Sequence, residues 1–353
     1  MKTQIMSLLI LASFGCKDDE SPTGSEPSRF DEWLIDRASV FDGGPGKDGI
    51  PAIDEPNFEL TSSAVHDYLT EDDLVLGIKM GDDVRAYPHD ILDWHEIVND
   101  AVDDQSVAIT YCPLTGTGIG WERSVAGNVT TFGVSGLLFN SNLIAYDRAT
   151  DSNWSQMKSL SVNGPNIATN AAQFQIIETT WGTWKRYYPE SNVLTTNTGY
   201  SRSYGNYPYR NYKESERLIF PIDHEDNRLH AKERVLGVKL DEEIKVYPIS
   251  TFDGGKIIID DQSGSNLVVI GNLEENWITV FENPSLNGQS LELVLVNNPP
   301  AIVKDQFGNE WDMFGKAITG SDAGSVLKVP RSFVGYWFAW ATFYPDLVLY
   351  EQD

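Results

Sequence analysis

LVLGIKMGDDVRAYPHDIL, residues 74–92, returns later in the same chain as RVLGVKLDEEIKVYPISTF, residues 234–252. The spacing, 234 minus 74, is 160 residues. Val75, Leu76, Gly77, Lys79, Tyr87 and Pro88 are matched by Val235, Leu236, Gly237, Lys239, Tyr247 and Pro248, and most other exchanges keep size and charge. Apolar and polar residues alternate with a period of two through both copies. Acidic turn residues interrupt each copy midway, so each predicts a β-hairpin.

The correspondence extends outward from the hairpins. Val107–Thr110 aligns with Leu267–Ile270, and Trp121–Glu122 with Phe281–Glu282. Tyr146–Asp147 falls near Lys304–Asp305, and Asn153–Trp154 falls on Glu310–Trp311. WKRYYPESNVL (Trp184–Leu194) then matches WATFYPDLVL (Trp340–Leu349). Ordered matches over such a length predict two tandem copies of one β-rich unit. The expected fold is mainly β with minor helices (α+β in that minor part), its two duplicated units packed into one compact body. The expected boundaries are a signal peptide at 1–15, a flexible stalk at 16–30, an N-terminal extension at 31–57, a first unit at 58–195, a connector at 196–232 and a second, degenerate unit at 233–353. Trp184, Tyr188, Trp340 and Tyr344 are expected at equivalent core or interface positions.

The copies differ in one informative stretch. Tyr111–Cys112–Pro113 in the first becomes Gly271–Asn272–Leu273 in the second, GVSGLLFNSNLIAYD shortens to something like NNPPAIVKD, and His95 with its helix finds no counterpart. An active copy beside a supporting copy is the simplest reading; loop drift with no function in either is the alternative. The connector carries Tyr200, Tyr204, Tyr207, Tyr209 and Tyr212 among Gly, Asn, Arg and Pro. It reads as a linker pinned to the domain by its rings in preference to a sugar-binding platform.

Composition sets the surroundings. Ten tryptophans in 353 residues belong to a globular protein, and a formal charge of −26 repels nucleic acid, which is therefore not expected as a partner. Lys2, the short apolar segment Ile5–Phe14 and Gly15–Cys16 resemble a bacterial lipoprotein signal, with Cys16 the lipid attachment and membrane anchor. Ser13 stands where a leucine is usual in such signals. Lys17–Asp18–Asp19–Glu20 resembles a tag for the outer face, so an outer-membrane, surface-exposed lipoprotein is expected. No later segment has a membrane-spanning run.

With Cys16 lipidated, Cys112 is the single remaining thiol, placed at a strand end before the glycines Gly116, Gly118 and Gly120. A helix over Asp90–Asp100 would put Ile91, His95 and Val98 on one inward face. His95 is then either a satisfied core histidine or a partner that lowers the Cys112 pKa or shares a metal with it. Tyr111, Asn140, Asn142 and Arg148 are the binding candidates. Asp147 and Trp154 persist in the second copy, which points to folding; Asn140, Arg148 and Cys112 do not, which points to a site. The chain holds no G-x-S-x-G elbow, phosphate loop or H-E-x-x-H helix.

WHEIVNDAV (94–102), TYCPLTGTGIGWER (110–123), TFGVSGLLFNSNLIAYDRATDSNWSQM (131–157) and PYRNY with FPIDHEDNRLHAKERVLGV (208–238) together resemble the family known as domain of unknown function 3179. That family is bacterial, often exported, and without an established activity, so the resemblance implies kinship and not a reaction. Its members commonly carry C-P-L-C, and here Thr115 replaces the second cysteine, which removes a dithiol or a cysteine-rich zinc site. Three functions stay open. The first is a surface protein binding a small molecule or a protein partner near Cys112. The second is a metal or thiol-redox protein in which Cys112 and His95 hold a single transition metal of copper-like softness. The third is an enzyme with Cys112 as nucleophile and His95 as base.

Overall fold

Alternation in residues 74–92 produces what it predicts. In the structure, a computed structural model describing residues 32–351, Leu74–Met80 pairs antiparallel with Asp83–Pro88, from Val75 opposite Pro88 to Met80 opposite Asp83. Arg234–Leu240 pairs with Glu243–Pro248 in the same register, from Val235 opposite Pro248 to Leu240 opposite Glu243. Each hairpin receives a third, antiparallel strand on one side (Ile177–Thr180 or Arg331–Tyr336) and a short parallel strand on the other (Asn192–Leu194 or Val348–Leu349). A helix joins those two flanking strands in both places, Trp181–Tyr187 and Trp337–Phe343. Its tryptophan ring packs directly against the hairpin glycine. A Cβ on Gly77 would stand 2.0 Å from the Trp184 ring, and one on Gly237 would stand 2.3 Å from Trp340.

The remaining strands recur in the same order. Ile97–Val102, Gln105–Cys112 and Thr117–Glu122 form an antiparallel meander, as do Lys256–Gln262, Ser265–Asn272 and Trp277–Glu282. Phe132–Phe139 pairs with Asn142–Asp147 through a register shift after Val134, and Val294–Asn298 pairs with Ala301–Lys304 through one after Leu295. The chain is thus mainly β with short helices, as expected. Among the described residues no helix is long and apolar enough to cross a membrane.

The core crosses between the two halves. Val235, Val246, Trp337 and Trp340 of the second half pack with Ala108, Trp121 and Trp154 of the first. Val75, Ala86, Trp181 and Trp184 of the first pack with Val268, Phe281 and Trp311 of the second. Each hairpin therefore buries one face, with its helix, on the other half's sheets and the opposite face on its own half's meander, and the two halves share one body. Trp184, Tyr188 and Trp340 are buried as expected, whereas Tyr344 is half-buried.

Two expectations need correction. The helix predicted over Asp90–Asp100 stops at His95. Glu96 adopts φ 58°, a conformation that ends the helix and turns the chain into the strand Ile97–Val102, so Val98 lies in a strand and not on the His95 face. The helix also has a counterpart after all, reduced to the 3₁₀ turn Ile249–Phe252. The signal peptide, Cys16 and the stalk lie outside the described residues.

Candidate functional site

Cys112 ends the Gln105–Cys112 strand, where Pro113 breaks the ladder and Gly116, at φ 58°, turns the chain back toward Thr117. The thiol is buried and donates to the Ser141 carbonyl at 3.7 Å. Burial, with the Glu96 carboxyl nearby, pushes its pKa up to about 11. That direction is opposite to the one a thiolate nucleophile or metal ligand requires.

His95 does not meet Cys112. Its Nδ1 is 2.7 Å from the Pro51 carbonyl and its Nε2 is 2.6 Å from the Tyr204 hydroxyl. Both ring nitrogens are thereby engaged, which makes His95 the satisfied core histidine and leaves the Cys112–His95 metal pair and the Cys112–His95 nucleophile–base pair without geometry. Among the described residues no group of three or more His, Cys, Asp or Glu is arranged to hold a metal ion.

The residue that faces the Cys112 loop is the neighbour of His95. Glu96 is buried, and Tyr209 of the connector approaches its Oε1 at 3.4 Å. Desolvation by burial, opposed by the Tyr209 hydrogen bond and aided by Asp93, pushes the Glu96 pKa up to about 8, a shift that favours the neutral acid near pH 7. With Tyr209, Glu96 lines a cavity of about 140 Å³ whose remaining walls are apolar, among them Ile50, Leu114, Val134, Leu143 and Phe220. The walls come from the N-terminal extension, the first unit and the connector.

The connector closes this region by its tyrosine hydroxyls. Tyr212 donates to the Leu114 carbonyl at 2.8 Å, and Tyr207 reaches the Pro113 carbonyl at 3.5 Å. Lys232 stands over the Tyr212 ring and donates to the carbonyls of Tyr212, Ser215 and Arg217, tying the loop in place. Pinning by rings is what the sequence predicts for this segment.

Further along the same buried seam, His89 lies against the Tyr111 ring, 4.3 Å between centroids, with its Nε2 3.4 Å from Glu178 Oε2. Arg234 pairs with the other oxygen of Glu178, and Lys213 pairs with Asp93 at 3.1 Å. Burial keeps the His89 imidazole neutral, its pKa well below the ordinary value. Both His89 nitrogens, Asp93 Oδ1, Glu178 Oε2 and Arg234 Nε are buried without a hydrogen-bond partner. Buried polar groups are nearly always paired, so this clustering marks polar chemistry and not plain core. A neutral imidazole beside an arginine-held carboxylate can accept and return a proton.

A family model described as protein of unknown function (DUF3179) matches residues 47–347, most of the chain. The chain belongs to that family. No curated protein and no solved structure matches it.

In this DUF3179 chain the four binding candidates do other work. Tyr111 packs its ring, tilted, against His89, and its amide donates to the Glu96 carbonyl at 2.6 Å. Asn140 Oδ1 accepts from the Asp223 amide at 2.8 Å and so holds the connector. Asn142 donates to Thr115 at 2.9 Å and to Gln156 at 2.7 Å inside a buried amide–hydroxyl network, which is also where the Thr115 replacement is absorbed. Arg148 pairs with Asp54 at 2.7 Å and fixes the N-terminal extension. Sequence reasoning missed Glu96, His89, Glu178 and Arg234. Glu96 had one signal, a lone carboxylate between His95 and the apolar Ile97–Val98, whereas the others converge from segments distant in sequence.

Proposed function

We propose that this chain is an envelope lipoprotein, lipidated on Cys16, that binds a small and mostly apolar molecule under the Cys112 loop. The observation that carries the reading is the apolar cavity of about 140 Å³ with the buried Glu96 carboxyl in its wall. An apolar cavity of this order accepts a benzene-sized body. A neutral carboxylic acid in its wall donates to a hydroxyl or carbonyl oxygen, and the ionised form pairs with an amine. Cys112 serves as packing beside the cavity and not as a reactive group. The second unit carries the hairpin, helix and tryptophan that complete the shared core; its matching registers support descent from one duplicated unit, and an experimental structure with Leu236 and Tyr247 out of register would remove that support.

Benzyl alcohol and benzylamine are suitable probes, followed by calorimetry from pH 6 to 9. Benzyl alcohol is expected to bind best below pH 8 and benzylamine to gain affinity above it. Leu143→Trp, which fills the cavity, is expected to abolish both, and Glu96→Gln to flatten the pH dependence. Binding unaffected by Leu143→Trp would refute the site. Loss of membrane association in Cys16→Ala tests the anchor separately.

A further inference from the structure

The two halves differ most where the N-terminal extension lies. In the first half this segment covers two strand edges. Val40–Asp42 pairs antiparallel with Phe132–Phe139, and the Asp48 amide donates to the Val134 carbonyl at 2.8 Å. Ile53 then bridges the edge of Ile97–Val102: its amide donates to the Ile97 carbonyl at 2.9 Å and its carbonyl accepts from Asn99 at 2.8 Å. The covered residues are buried, Val134 at 2% exposed and Asn99 at 2%.

In the second half no described residue covers the matching edges. Lys256–Gln262 corresponds to Ile97–Val102, anchored by the same contact: Tyr87 donates to Asp100 in the first half and Tyr247 to Asp260 in the second. Val294–Asn298 corresponds to Phe132–Phe139, with its register shift directly after Leu295 as the other has it after Val134. Lys256–Gln262 and Val294–Asn298 are both sheet edges, and neither has a second neighbour among the described residues. Ile259, at the Asn99 position, is 74% exposed; Leu295, at the Val134 position, is 40% exposed, and Val294 is 59% exposed. A groove of about 620 Å³ runs between the edges. The Ile257 carbonyl and Ile259 amide, the counterparts of the groups that Ile53 satisfies, have no backbone partner there.

Unpaired apolar edges are usually blunted by charge, proline or a covering segment, because they template strand addition. We propose that the groove between Lys256–Gln262 and Val294–Asn298 is a docking site for an extended segment of a partner protein. That segment adds a strand to the Ile257–Ile259 edge and lays a β-branched residue beside Ile258, as Ile53 lies beside Val98 in the first half. Backbone hydrogen bonds give such a mode its affinity and alternate side chains its selectivity. The site is separate from the Glu96 cavity, and its test is independent of small-molecule binding.

A synthetic peptide copying residues 36–56, the occupant of the first groove, is the probe, titrated with fluorescence anisotropy against the full chain. Saturable binding is expected. Ile259→Pro removes only the outward amide of an edge strand, where proline is tolerated. It is expected to weaken binding about tenfold, as loss of one backbone hydrogen bond predicts, while Ile259→Thr stays within about threefold. Leu295→Arg, on the opposite wall, is expected to abolish binding and guards against a folding defect in the proline variant. No saturable binding by the wild type, or binding unchanged in both Ile259→Pro and Leu295→Arg, overturns the proposal. A wild-type dimer in light scattering that Ile259→Pro dissolves would assign the groove to a second copy, and equally overturn the partner segment.

Discussion

The Trp154 indole donates to the Asp147 carboxylate at 3.0 Å, and both residues are buried. Trp311 donates to Asp305 at 3.0 Å in the other half. In each case the same carboxylate also caps the following turn, through Thr150 at 2.8 Å in the first and Asn309 at 2.9 Å in the second. Asp147→Ala is expected to orphan the indole and the turn amide together and to destabilise by about 2 kcal/mol or more. Asp305→Ala is expected to behave alike. Urea unfolding of the two variants checks this, and a loss below about 0.5 kcal/mol in either would remove the structural role.

Glu96 and Asp93 give stability a specific pH dependence. Burial raises them to about 8 and about 7, from ordinary values of 4.5 and 3.8. Between the unfolded and folded values the unfolded chain has released these protons and the folded chain keeps them. Their contribution is therefore fully present below about pH 4 and is lost as pH rises, for Glu96 until about pH 8. Each contributes a slope of at most about 1.4 kcal/mol per pH unit. The Tm of Glu96→Gln minus that of the wild type is expected to grow from pH 5 to pH 8 and then level. A difference that is flat with pH would contradict a neutral Glu96.

Cys112 is expected to resist alkylation in the native state. With its pKa near 11, about one molecule in a thousand carries a thiolate at pH 8, and the sulfur is also shielded. Iodoacetamide labelling followed by mass spectrometry is expected to be at least a hundredfold slower than in urea. Rapid native labelling would restore the nucleophile that the geometry otherwise disfavours.

The connector is held by identifiable bonds along its length. Tyr212→Phe removes the 2.8 Å bond to the Leu114 carbonyl and is expected to lower stability by about 1 kcal/mol. Lys232→Met leaves three carbonyls without their donor and is expected to cost more, with new proteolytic cleavage at 212–217. Cleavage unchanged in Lys232→Met would show that other contacts hold the loop.

Much of the local structure was legible in the sequence. A β-rich run with an acidic turn midway specified both hairpins, but both faces of each are buried, Val75 in one core and Leu76 and Ile78 in another, so the tight turn and not a polar face fixes the register. Asp147 and Trp154 were marked as structural by their recurrence, whereas the contacts of Gly77 with Trp184 and of Gly237 with Trp340 came only with the fold. His95 misled because a helical period was extended through Glu96, whose φ of 58° nothing in the sequence announced.

Tertiary structure alone decided the site. Glu96 becomes a neutral acid only when Leu114, Leu143 and Phe220, from separate segments, exclude water around it. His89, Glu178 and Arg234 meet because the Arg234 side chain, at the start of the second half's hairpin, reaches Glu178 of the first half's flanking strand, a juxtaposition of residues 89, 178 and 234 that no local period encodes. Local patterns determine strands and turns, since they act between near neighbours. Burial of a charge and the convergence of distant side chains depend on how whole sheets pack, and that is fixed only when the chain has folded.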